Sequence, residues 1–234
     1  MKSAIIIGKG PSLNKCESSY ASQFDDLIIC NYLKFSGYES IVPYRANIQF
    51  RGKGAKNYEE EEFLKLGISD VIGIQPNQKD YPFESHYNHA NLYYLNHEIT
   101  KDKLNRDVWK ISVNNFSLVD PSCGTLALDW ACKSGLYKKI SICGFDLFKK
   151  GTKAYYWKRD DWPENLRYLI DTPGHVYDRS GTIVKDHLHN EKEAADYIYK
   201  LMEYYQEINF EFLSDNQYLN QLLNQLNNVK RVFK

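Results

Sequence analysis

The sequence predicts an α/β fold, a single Rossmann-like domain with a mainly parallel sheet and a long lid segment. Short unbroken apolar runs at residues 3–7, 26–30 and 140–143 have the pattern of strands buried on both faces rather than on one. Each run stops at small or polar residues: Gly8-Lys9-Gly10-Pro11-Ser12, Asn31, and Gly144-Phe145-Asp146. Helical stripes stand between the runs, and helices alternating with buried strands point to a parallel sheet. With 234 residues, 43% hydrophobic and 15% aromatic, the chain has enough apolar surface for one substantial core.

In order along the chain, the first strand (residues 3–7) enters a tight glycine loop and then a helix. The second (26–30) ends at Asn31, at the kind of strand end where α/β proteins place ligand groups. Residues 46–50 read as a third strand and 58–66 as a Glu-rich helix that Gly67 stops in the usual C-terminal position. Another short strand covers 71–74. From 75 to 116 the signal is weak: Pro76, Pro82 and scattered tyrosines suggest irregular surface structure, with one strand at 92–95. Ser122-Cys123-Gly124 then opens a helix over 124–134, and the strand 140–143 delivers Gly144 and Asp146. Residues 147–185 are aromatic, contain Pro and Gly, and lack periodicity; so long a loop in a compact domain reads as a lid. Ala194, Ala195, Ile198, Leu201 and Met202 form a helical stripe over 191–205, with Asn190 as N-cap and Glu193 where a capping box places its acid. A strand at 208–213 and a Gln/Asn-rich helix at 215–226 follow. The tail 229–234 mixes cations with apolar side chains; it reads either as a frayed, solvated terminus or as a weak peripheral contact with an anionic membrane surface.

Lys plus Arg total 30 and Asp plus Glu total 30, so no net charge gathers nucleic acid, and DNA and RNA are not expected partners. The opening apolar run is ended at Gly8, too early for a signal peptide, and no stretch reaches membrane-spanning length. Cys16, Cys30, Cys123, Cys132 and Cys143 are odd in number and lack CxxC spacing, so they read as reduced, packed thiols of a cytoplasmic protein. A homo-oligomer is left open.

The candidate site residues each have a plainer alternative. Backbone amides around Gly8 and Gly10 can approach an anion, and Ser12 can cap the following helix; a simple strand-to-helix turn explains them equally well. Asn31 suits a base edge or a sugar hydroxyl, or a turn. Ser122, Cys123 and Gly124 would put a second anion-friendly helix start on the same side of the sheet, or merely permit close packing. Gly144 and Asp146 suggest ribose recognition, with a helix or loop cap as the alternative. Tyr155 and Tyr156, in the lid, can donate to a departing phosphate. His187 and His189 precede a helix N-terminus, whose dipole keeps an imidazole neutral and basic near pH 7. Zinc at this pair lacks a third and fourth ligand at recognised spacing, and Asp160-Asp161 is the nearest approach to an Asp-x-Asp cation motif. A metal-free reaction is therefore expected.

These pieces, in this order, resemble the sialyltransferases, most closely the bacterial family 42 enzymes and more remotely the animal family 29 enzymes. Ile6-Ile7-Gly8-Lys9-Gly10-Pro11-Ser12-Leu13 is similar to the family's N-terminal nucleotide loop, with Lys9 where an Asn is usual. Cys30-Asn31 fits the next element. Ser122-Cys123-Gly124, a helix, Gly135, and then Cys143-Gly144-Phe145-Asp146 resemble the small-Gly block and the Gly-x-Asp strand end, with Cys123 in place of the usual Ser or Thr. The resemblance covers residues 1–35, 121–150 and 185–213. It implies CMP binding by these positions and a lid tyrosine, Tyr155 or Tyr156, over the leaving phosphate, Phe148 standing where another lid tyrosine is usual. It also implies a histidine base before a helix, His189 fitting best and His187 remaining the alternative. The implied activity is an inverting, metal-independent transfer of sialic acid, or a related nonulosonic acid, from a CMP-sugar to a hydroxyl of a glycan acceptor such as a lipooligosaccharide. The CMP-sugar is then a donor substrate, and no cofactor is implied. Two other classes stand beside this one: a nucleotide-binding module without transferase activity, and another Rossmann-like enzyme, which the missing dinucleotide fingerprint disfavours.

Overall fold

In the computed structural model, which describes residues 1–52, 58–74, 89–102, 105–147, 176–177, 183–184 and 191–232, the unbroken apolar runs lie at the centre of an eight-stranded sheet. A strand covered on both faces has no polar face to show. From edge to edge the order is β13 (Val229–Arg231), β12 (Asn209–Leu213), β9 (Tyr137–Cys143), β1 (Lys2–Ile7), β2 (Asp26–Cys30), β3 (Ile48–Arg51), β4 (Asp70–Gly73) and β5 (Asn91–Tyr94). Every pairing in this sheet is parallel. The order reverses between β1 and β9, so their carboxyl ends flank the switch point at which an open α/β sheet forms its crevice.

Alternate residues of the central strands feed two cores. Ala4, Ile6, Ile28, Phe50 and Ile142 meet α3 (Cys123–Lys133), α4 (Glu191–Tyr204) and α5 (Gln217–Leu223) on one face. Ile5, Ile7, Leu27 and Ile29 meet α1 (Ser18–Ala21), α2 (Glu60–Leu66) and the 3-10 turn Pro11–Lys15 on the other. Burying one such side chain fully is worth about 1.5–3 kcal/mol, so the sheet centre dominates the stability of the scaffold.

Two stretches differ from the sequence expectation. The region 75–116, expected to be irregular apart from a strand at 92–95 that corresponds to β5, leads into a second, antiparallel sheet of β6 (Glu98–Lys101), β7 (Asp107–Val113) and β8 (Phe116–Val119). Its β7–β8 hairpin turns on Asn114 and Asn115, with Asn114 at φ 50, a left-handed conformation that Asn tolerates in a two-residue turn. Trp109, Ile111, Val113 and Leu118 of this sheet join the core around α3 and α4. The tail, whose plainer reading is a frayed, solvated terminus, forms β13 and pairs with β12 through Phe210, Glu211 and Phe212. Cations on an exposed edge strand discourage further strand addition, which accounts for the mixed Val-Lys-Arg pattern. Among the described residues no helix is long and apolar enough to cross a membrane. All five cysteines are free thiols. Within 147–185 the short strands β10 (Val176–Tyr177) and β11 (Ile183–Val184) pair antiparallel; apart from these and Leu147, the expected lid lies outside the described residues.

Candidate functional site

β1 and β9 end side by side, and the loops that follow them are joined through their backbones. Gly8 N–H donates to Cys143 O at 2.8 Å and Gly10 N–H to Gly144 O at 2.9 Å. A Cβ on Gly8 would lie 2.5 Å from Gly144 O, and one on Gly144, at φ +73, would lie 2.9 Å from Gly8 O. Glycine is required here by close backbone approach. Asp146 closes the same seam from inside. It is 4% exposed; its Oδ2 accepts Ser12 N–H and its Oδ1 accepts Asp215 N–H, each at 2.8 Å. The carboxylate thus ties together the loops that follow β1, β9 and β12. Both oxygens accept the protein's own amides, so the loop-capping role expected as the alternative for Asp146 is present. Ser12 differs from expectation. Gly10, not Ser12, is the N-cap of the short 3-10 turn, and no side chain caps it. The buried Ser12 hydroxyl has no hydrogen-bond partner among the described residues.

The start of α3 is built differently. Ser122 is its N-cap: Oγ accepts Thr125 N–H at 3.2 Å and lies 2.9 Å from the Thr125 hydroxyl. The cap satisfies one of the amides that a helix start leaves unpaired, and the dipole makes this end attractive to anions. Two contacts fix it at the carboxyl edge of the sheet. The Cys123 thiol donates to Phe50 O at 3.5 Å, in β3, and a Cβ on Gly124 would meet the Phe145 ring at 3.0 Å. The neighbouring Cys123 thiol, together with burial, pushes the Cys30 thiol well up. Asn31, at φ 56, follows Cys30 and is half-buried. Its Oδ1 accepts Gly52 N–H at 2.7 Å and its carbonyl accepts Gln49 Nε2 at 2.9 Å. The turn-forming role is therefore present, and among the described residues Nδ2 has no hydrogen-bond partner.

The structure brings Gly8, Gly10, Ser12, Asn31, Ser122, Cys123, Gly124, Gly144 and Asp146 to one edge of one sheet. Tyr155, Tyr156, His187 and His189 lie outside the described residues, as do Phe148, Asp160, Asp161 and Asn190. Among the described residues no group of three His, Cys, Asp or Glu side chains could hold a metal ion.

A polar cluster behind the start of α3 escaped the sequence reading. Asp129, fully buried, accepts Tyr197 OH at 2.5 Å and Lys133 Nζ at 2.8 Å, and His97 Nε2 lies 3.8 Å from Oδ2. Burial, with the Asp129 charge beside it, pushes the Tyr197 phenol far up. Burial pulls His97 below its ordinary value against the opposing pull of Asp129. The signal lay in the residue itself: an Asp inside the apolar helical stretch Leu126-Ala127-Leu128-Asp129-Trp130-Ala131, with Lys133 one turn on, must be paired to be buried.

No protein-family model matches the chain, and no curated protein matches it. Solved structures do. The sialyltransferase CstII from Campylobacter jejuni, in complex with the substrate analogue cytidine-5'-monophosphate, gives a TM-score of 0.50 at 17% identity, covering 94% of this chain and 83% of that one. The same enzyme with a trisaccharide acceptor and CMP gives 0.50 at 16% identity, covering 94% and 84%. A substituted form with CMP gives 0.53 at 17%, again covering 94% and 84%. The likeness is one of fold: a parallel α/β sheet of this kind is shared with a sialyltransferase.

Proposed function

We propose that the chain is an inverting glycosyltransferase that moves sialic acid, or a related nonulosonic acid, from a CMP-sugar to a glycan hydroxyl. The observation that carries this reading is the capped start of α3, seated by Phe50 and Phe145 at the carboxyl edge of the sheet, beside the β1–β9 switch point. A helix start in that crevice suits a phosphate ester, and Asn31 Nδ2 beside it suits the nucleoside. The likeness of fold to a CMP-bound sialyltransferase supports cytidine monophosphate over other nucleotides. In this reading Asp146 serves indirectly, by holding the Gly8–Ser12 loop in place.

The chemistry follows from charge development. His189, with His187 as the alternative, accepts the acceptor hydroxyl's proton as that oxygen attacks the anomeric carbon. Such a base contributes about two to four decades of rate. CMP departs from the opposite face. Tyr155 or Tyr156 and the α3 amides stabilise the growing phosphate charge, so neither metal nor cofactor is needed.

Thermal shift with CMP, S-adenosylmethionine and NAD is the first test, because a ligand that binds only the folded chain raises its melting temperature. CMP alone should do so. CMP release from CMP-sialic acid should then be lost in His189→Ala or His187→Ala while CMP binding stays intact. Stabilisation by either other ligand instead of CMP, or full activity in both histidine variants, would overturn the reading or its base.

A further inference from the structure

Asp129 and Tyr197 join the two helices whose starts carry the proposed chemistry. Asp129 lies six residues beyond Cys123 in α3, and Tyr197 six residues beyond Glu191 in α4. At 1.5 Å per residue each is about 9 Å from the beginning of its helix. The α3 start is the anion-facing end described above; His189 precedes the first residue of α4 by two positions in the sequence. One short hydrogen bond, Tyr197 OH to Asp129 Oδ1 at 2.5 Å, therefore connects them at matching depth, with both residues fully buried. Lys133 donates to the other carboxylate oxygen, which fixes the side chain from α3 itself, and His97 packs nearby with Nε2 3.8 Å from that oxygen.

Stability alone is a weak reason for this arrangement. Well-packed apolar side chains of similar volume often replace a buried ionic group at no loss. What an apolar pair cannot supply is direction: leucine against phenylalanine permits helices to slide and rotate, whereas a buried carboxylate–phenol bond admits one register.

We propose that Asp129 and Tyr197 are positioning residues, which set the start of α4 against the α3 helix end that receives the leaving phosphate. The inference rests on the transferase reading above. Neither residue touches substrate. Their effect should fall on the reacting geometry and spare nucleotide binding, since the α3 start keeps its own cap and its contacts with Phe50 and Phe145.

The test uses the full chain and counts CMP-binding sites by titration calorimetry, so that kcat is expressed per competent molecule. In Tyr197→Phe, CMP affinity and the KM for CMP-sialic acid should stay within about threefold while kcat falls about tenfold to a hundredfold, as misplacement of reacting groups by fractions of an ångström to an ångström does. Unchanged kcat per CMP site, with only a lower melting temperature, would assign the pair to stability and overturn the proposal. An equal loss of CMP affinity and kcat would also overturn it, because the α3 end itself would then have moved. Should Tyr197→Phe fail to fold, the apolar double variant Asp129→Leu/Tyr197→Phe takes its place: folded with low kcat it supports the proposal, and folded with wild-type kcat it ends it. A wild-type chain that binds CMP but turns over no donor overturns the transferase reading and this inference with it. An active wild type with an equally active Tyr197→Phe overturns the positioning role alone.

Discussion

The loops that follow β1 and β9 and the start of α3 occupy one edge of one sheet, yet they are held in opposite ways. In the seam between the two loops, the amides of Gly8 and Gly10 and both oxygens of Asp146 are engaged by other parts of the chain. At the helix start, Ser122, Cys123 and Gly124 are half-buried, one cap satisfies one amide, and the neighbouring half-buried Asn31 engages Gly52 N–H through Oδ1. A glycine and a carboxylate at a strand end are thus architecture here, and they create the crevice. In the proposed reading, anion recognition falls to the helix end beside them.

The largest effect should come from the seam. Gly144→Ala forces a Cβ into left-handed backbone at φ +73 and to 2.9 Å from Gly8 O, where the neighbour is backbone and cannot turn aside. The conformation costs about 1–2 kcal/mol and the overpacking about 1–3 more. Together they remove a large part of the 5–15 kcal/mol, roughly, by which a domain is stable. Urea denaturation measures this; a loss below about 1 kcal/mol would mean that the seam is loose and the contrast unfounded. Next comes Asp146→Ala, which leaves the amides of Ser12 and Asp215 without their acceptor. About 3 kcal/mol should be lost, and about half of that in Asp146→Asn, which keeps one acceptor. If Asp146→Ala instead melts like the wild type but loses CMP affinity, the carboxylate reads ribose after all.

What the sequence made legible follows the same division. β1, β2 and β9 were plain because strands buried on both faces are continuous apolar runs, and Asp26–Cys30 was legible to the residue. The small antiparallel sheet was not. Trp109, Ile111 and Val113 do alternate with Lys110 and Ser112, but apolar Val108 precedes them, and the Asn114-Asn115 turn lacks the glycine that usually marks a two-residue hairpin. The position of the candidate loops was legible because each sits at a strand end. The engagement of Asp146 was not, since its partners Ser12 and Asp215 are 134 and 69 residues away and no local pattern encodes such contacts. The Asp129–Tyr197 pair spans 68 residues and was hidden for the same reason.

The helix start should respond more mildly than the seam. Ser122→Ala removes the N-cap bond to Thr125 N–H and should cost about 1 kcal/mol, whereas Ser122→Gly should cost only a few tenths. Thermal melts of the two variants side by side sharpen the comparison. Equal losses would mean that Ser122 is not acting as a cap, and a loss as large as that of Asp146→Ala would erase the distinction between the two regions.

Mild acid should give the smallest effect and should act on the support behind α3, since among the described residues the seam near Gly8, Gly144 and Asp146 contains no histidine. His97 packs edge-on against Trp109 and faces Asp129 and Lys133. Burial, the leading influence, holds it below its ordinary value of 6.5, with Lys133 adding to the depression and Asp129 opposing it. As pH falls through that ordinary value, the unfolded chain takes up a proton that the folded chain still refuses. Unfolding then binds protons, so stability rises with pH across the window below 6.5 and is lost as pH falls toward the folded value. Urea midpoints from about pH 8 to about pH 5 should therefore decline on the acid side in the wild type and decline less in His97→Gln, which cannot titrate. Because other groups contribute to both curves, the difference between the two proteins is the quantity to read. A steeper acid decline in His97→Gln would mean that protonated His97 gains more from Asp129 than it loses by burial, and that this carboxylate, already shared by Tyr197 and Lys133, has room for a second cation.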